Sequence, residues 1–181
     1  MEGLNKIREF KKINWEDIPD YGLYSEQLIK YIEDVLMSYF INSLCLSHSM
    51  INNYVKNGVI PKPIKKKYYR EHIANLIVVV ILKSVIPINS IKEGVNLQKN
   101  IMSEKDSFNE FMNTLERTLK NILDSLEEKN NFQYEGFKAD RESISLTLAI
   151  NAFCFQMVTS EILDINGIYD KEKIWVKLQY Y

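Results

Sequence analysis

The side chains best suited to gripping a nucleic acid lie between Ser49 and Arg70. Ser49, Asn52, Asn53 and Lys56 recur at i, i+3, i+4 and i+7, so on a helix they share one face made wholly of hydrogen-bonding groups. An asparagine amide can pair with both polar atoms of an adenine edge, and a serine at a helix N-terminus can meet a phosphate. Lys65, Lys66, Lys67 and Arg70 follow a few residues later and would hold flanking phosphates. The plainer reading of the same face is a solvated one, since Asn and Lys are used freely along the whole chain.

Charge is distributed unevenly. Lys56, Lys62, Lys65, Lys66, Lys67 and Arg70 stand against Glu71 alone, a net of +5 between Lys56 and Glu71, which leaves −6 on the remainder of a chain whose total is −1. A basic patch on an acidic body is the expected footprint of a phosphate-binding surface.

Other chemistries find little support. None of the phosphate-binding glycine loops, dinucleotide fingerprints, nucleophile elbows or H-E-x-x-H pairs occurs. Cys45 and His48 have the spacing of half a zinc site, but His72 and Cys154 stand alone, so neither metal nor cofactor is expected. The two cysteines are expected to be reduced thiols in apolar surroundings, which suits a cytoplasmic protein. No apolar leader is read in the first twenty residues, and the most apolar run, Ile73 to Ile88, is interrupted by Lys83 and reads as a buried helix with no membrane involved. Catalysis is not expected.

The elements that must position these residues are mostly helical. Residues 1–22 read as an irregular arm anchored by Trp15, Ile18 and Pro19. Ser25 is expected to cap a helix running to about Asn42, with Leu28, Ile29, Ile32, Val35, Leu36, Tyr39 and Phe40 as its apolar stripe. Ser49 is then expected to cap a short helix that buries Ile51, Tyr54 and Val55 and stops at Gly58. Pro61 and Pro63 bar a helix from Val59 to Ile64 and predict a strap or short wing strand. A helix apolar nearly all round begins near Arg70 and leaves at Pro87; Ser90 caps a shorter one to about Gln98.

Beyond Ser103, Phe108, Met112, Leu115, Leu119, Ile122 and Leu126 form a heptad seam. Such a seam serves either packing within a small bundle or a homodimer. Asn130 to Lys138 reads as a loop, Asp140 as the cap of a last, buried helix to about Ile165, and the stretch from Gly167, with Trp175 and Tyr180, as a tail.

Tyr54 lies four residues before Gly58; Val59, Ile60 and Pro61 follow it, then Lys66-x-Tyr68, and Ile73 with Leu76 opens a helix. This order resembles the winged helix-turn-helix of MerR-type regulators, whose recognition helix ends Y-x-x-x-G-L-[IL]-x-P and whose wing returns as R-x-Y-S-x-x-D-L. Asn52 stands where that family usually has arginine, and the wing is several residues shorter. The chain is more closely similar to an uncharacterised bacterial family, domain of unknown function 1836. It shares W-x-x-[IL]-P-D-x-x-L-Y from Trp15 to Tyr24, SMINNYVKNGVIPKPIKKKYYREHIANLI, and ILKSVIPINSIKE, over about residues 10–115.

The expected architecture is therefore mainly α: an arm at 1–22, a MerR-like winged helix-turn-helix with a short wing at 23–100, a helical dimerisation or sensing region at 101–166, and a tail at 167–181. The expected function is double-stranded DNA binding and transcriptional regulation by a homodimer joined through the Phe108 to Leu126 seam. Ser49, Asn52, Asn53 and Lys56 would face the major groove, and Lys65, Lys66, Lys67 and Arg70 would grip phosphate. The competing expectation is a helical protein-interaction or adaptor module that keeps the fold without binding DNA.

Overall fold

The computed structural model of the chain describes residues 2–40, 44–127, 132–134, 139–165 and 167. Seven α-helices run along these residues, and no strand of ladder length is formed among them. They are α1 (Glu2–Arg8), α2 (Ser25–Ile32), α3 (His48–Lys56), α4 (Arg70–Leu82), α5 (Ile88–Lys99), α6 (Glu104–Leu126) and α7 (Ile144–Asp164). The mainly helical class is thus as the sequence implies.

The centre is the pairing of the two longest helices, α6 and α7. Phe108, Met112, Leu115, Leu119 and Ile122 of α6 are all buried and pack chiefly toward α7, with α4 and α1 closing the sides. Five of the six seam residues are thus buried within the single chain, and Leu126 is half-buried. α4 lies deepest: Ile73, Leu76, Ile77, Val79, Val80 and Ile81 are fully enclosed, which accounts for a helix without a polar side. α7 is less enclosed than its sequence implies. It is long and apolar enough to cross a bilayer, half of its most apolar stretch is buried as in a core helix, and Leu148, Phe155 and Leu163 remain exposed.

Several boundaries differ from expectation, each for a local reason. The N-terminal segment is ordered: α1 docks on α6 and α7, a single 3-10 turn forms at Trp15–Asp17, and Ile7, Phe10, Ile13 and Ile18 are buried. Ser25 is the first helical residue and Tyr24 the cap, its N–H donating to the Gln27 side chain at 2.9 Å. The stripe beyond Ile32 continues as one wide π-type turn, Glu33–Met37, and the expected end near Asn42 lies outside the described residues.

Ser47, not Ser49, caps α3, its hydroxyl accepting from the Met50 N–H at 3.3 Å. α5 starts directly after Pro87, so Ser90 falls inside its first turn. α7 starts after Ser143 rather than Asp140, whose carbonyl accepts the Ser143 N–H. Ser103 does cap α6, accepting from Asp106 N–H at 3.1 Å. Cys154 is buried, but Cys45 is exposed rather than in apolar surroundings. Most of the 130–138 loop and, except for Gly167, the tail with Trp175 and Tyr180 lie outside the described residues.

Candidate nucleic-acid interface

α3 is short, and its two faces divide cleanly. Ile51 and Tyr54 are buried, whereas Ser49, Asn52, Asn53 and Lys56 are all exposed. The four residues expected to share a polar face therefore do so, on the solvent side of a helix that packs beside α2. Asn53 accepts from the Asn57 amide at 2.9 Å, and Ser49 shares a hydroxyl contact of 3.0 Å with Ser47.

The helix stops where the sequence places its glycine. Gly58 has φ +64°, a left-handed angle that costs a residue with a Cβ about 1–2 kcal/mol. The chain then turns back so that the N–H groups of Val59 and Ile60 both reach the Tyr54 carbonyl, at 2.8 and 3.4 Å. Val59 and Ile60 are buried, fixing the strap under α3. From α5, Lys92 donates to the Asn57 carbonyl at 3.0 Å and satisfies one of the free acceptors at the helix end.

The lysine run folds into a tight reversal rather than a strand. Ile64 and Lys67 exchange both backbone hydrogen bonds, N to O at 3.0 Å and 2.9 Å, leaving Lys65 and Lys66 as the two central residues. Both have positive φ, 50° and 66°, the signature of a type I′ hairpin turn. Asn-Gly is the usual occupant of that turn. Here two exposed lysines hold it, and among the described residues neither forms an ion pair.

The base of the turn is tied down on two sides. Leu23 and Tyr68 exchange backbone hydrogen bonds of 2.8 Å in each direction. Gly22 permits this approach, because a Cβ there would lie 2.7 Å from the Lys67 Cβ and 2.9 Å from the Tyr69 ring. His72 is buried and bridges strap to helix: its Nδ1 accepts from the Tyr69 N–H at 3.2 Å, so Nε2 carries the proton and donates to the Lys62 carbonyl at 3.0 Å.

Not all the expected phosphate-gripping residues are equally available. Lys56, Lys65 and Lys66 are exposed. Lys67 is half-buried with its ammonium 5.1 Å from the centre of the Tyr24 ring. Arg70 donates from Nε to the Ile18 carbonyl at 2.9 Å and pairs with Asp20 at 3.7 Å, so it ties α4 to the N-terminal segment.

Two residues join the site that spacing alone does not select. His48 opens α3 and lies with Nδ1 2.7 Å from the Ser25 hydroxyl, linking the first turns of α2 and α3. Only the contact across 23 residues reveals the pair. A hydroxyl beside an imidazole is also the start of a nucleophile and base arrangement, but no further hydrogen bond orients this imidazole among the described residues. Nor do three His, Cys, Asp or Glu side chains converge anywhere among them as a metal site would require.

One family model matches, that described as Domain of unknown function (DUF1836), over residues 13–122, which takes in α2 through most of α6 and so the whole of the surface described above. No curated protein and no solved structure matches the chain.

Proposed function

The chain belongs to the DUF1836 family, and from that premise we propose that it is a DNA-binding transcriptional regulator of MerR-like type. In this reading α2 and α3 form the helix-turn-helix, and the strap from Val59 to Tyr68 is a short wing tipped by Lys65 and Lys66. Ser49, Asn52, Asn53 and Lys56 face base edges in the major groove, and Lys65, Lys66 and Lys67 contact phosphate. Arg70 serves from behind, by holding α4 to Ile18 and Asp20.

The observation that carries the reading is Lys65 and Lys66, without an ion pair among the described residues and at left-handed backbone angles, on a turn that follows a helix whose exposed face is all hydrogen-bonding groups. Backbone strain of this kind is retained where the side chains have a task at that place. His48 and Ser25, at two adjoining helix N-termini, offer a further seat for a phosphate oxygen.

Selection of fragments from the genomic DNA of the source organism tests this. Bound duplexes should be recovered by the full chain and lost with Lys65, Lys66 and Lys67 all changed to Ala. Log K should fall with log[salt] by about 0.9 per phosphate contact. Binding that ignores salt, or no binding to any duplex, would sink the proposal.

A second reading rests on a different observation. Leu148, Phe155 and Leu163 leave an apolar stripe of α7 open to solvent, which suits a protein-interaction or adaptor module. An adaptor would tolerate the triple lysine change and respond instead to Leu148→Ser.

A further inference from the structure

A groove of about 500 Å³ opens between α4, α5, the first half of α6 and the start of α7, on residues that the DNA-binding reading does not use. Its size lies within the range of about 300–1,000 Å³ that holds small organic ligands. Trp15, Val78, Leu82, Ile91, Phe108 and Phe111 are among its apolar lining, with the Trp15 and Phe108 rings set edge to face at 6.1 Å.

Two amides interrupt that apolar wall. Gln98 is 8% exposed, and its nitrogen has no better acceptor than the Met102 sulfur at 3.4 Å. Asn75 spends its nitrogen on the Glu71 carbonyl at 2.7 Å. Among the described residues the side-chain carbonyl oxygen of each amide accepts nothing. No buried side-chain nitrogen or oxygen lacks a partner among the described residues, so both oxygens are open to solvent, and a donor entering the groove can take the place of water there. At the mouth, Lys99 is neutralised by Glu104 at 2.5 Å, while Glu142 is exposed and forms no ion pair among the described residues. The rim therefore disfavours anions.

We infer that this groove is a binding site for an uncharged, largely apolar small molecule that presents an N–H or O–H donor to the free carbonyl oxygens of Gln98 and Asn75. Gly94 marks the vulnerable point of the site. It lines the groove from α5, and a Cβ added there meets no atom within 4 Å, so a larger side chain fills the space without disturbing the helix.

The test is a titration of the full chain carrying Trp175→Phe, which leaves Trp15 as its one tryptophan, with N-phenyl-1-naphthylamine, a neutral fluorophore with a single N–H. Saturable uptake of one probe per protomer is expected, with Trp15 emission lost to energy transfer. Gly94→Phe should abolish uptake while the melting temperature holds or rises. Gln98→Leu should weaken it about five- to tenfold, the worth of one hydrogen bond, toward the affinity of the N-methylated probe. Non-saturating uptake overturns the inference. So does saturable uptake that Gly94→Phe, or the loss of the Gln98 amide should the first variant not fold, leaves unchanged. None of these readouts involves DNA, so the groove and the DNA-binding reading stand or fall separately.

Discussion

At the scale of single residues the turn at Lys65 and Lys66 makes the sharpest demand. Each left-handed lysine costs about 1–2 kcal/mol relative to a residue at ease there. Replacing the pair with Asn-Gly should raise the free energy of unfolding by about 1–2 kcal/mol in a denaturant titration, while duplex affinity falls. A loss of stability would show that the lysine side chains hold the turn. The sequence gives no hint of this conformation, because a run of three lysines advertises charge and nothing about φ. By contrast Gly58 is legible as a helix stop, since glycine is the residue that accepts a left-handed angle freely.

The tyrosines set the alkaline limit at the same scale. Burial, with Asp17 close by, pushes Tyr31 up to about 12, and burial also raises Tyr54, Tyr68 and Tyr134. The fold thus favours the neutral phenols, whereas unfolded tyrosines ionise near 10. That contribution is intact below about pH 10 and is lost as pH rises toward 12. Denaturant midpoints at pH 9 and pH 11 should differ accordingly, with the lower midpoint at pH 11.

At the scale of elements the helix starts tell how far local sequence reaches. At α6 two serines, Ser103 and Ser107, precede the apolar stripe, and Ser103 is the cap, with acidic Glu104 and Asp106 following it in the first turn. At α3 the choice is ambiguous: Ser47 and Ser49 both precede Ile51, and the helix starts at His48, two residues earlier than a Ser49 cap would place it. Ser47→Ala should therefore lower stability by about 1 kcal/mol, and Ser49→Ala should change it by no more than a few tenths, both read from urea midpoints. Duplex affinity should show the reverse order.

The polar face of α3 and the buried course of α4 are both recoverable from periodicity. What periodicity cannot supply is the partner of each face. That is why Arg70, grouped by sequence with Lys65, Lys66 and Lys67, turns out to bond Ile18. It is also why the groove goes unseen: empty space between four helices has no signature along the chain.

At the scale of the whole molecule α6 and α7 form the frame on which α1, α4 and α5 rest. Leu115, at the middle of the seam, is fully buried. Leu115→Ala should cost about 2–5 kcal/mol, and the loss should not depend on protein concentration. A concentration-dependent midpoint would instead assign the seam to an assembly of two chains. Leu148→Ala, on the open side of α7, should stay within about 0.5 kcal/mol.

The hydrogen bond from Lys92 to the Asn57 carbonyl reaches further than its 3.0 Å. It is a link between α5 and the end of α3 that couples the two helices across the surface. Backbone amide exchange from Val55 to Gly58 should accordingly report on α5. Lys92→Met should speed exchange there while leaving α6 unchanged. The aim of the asparagine face is thus governed partly from α5, by a residue that never touches that face.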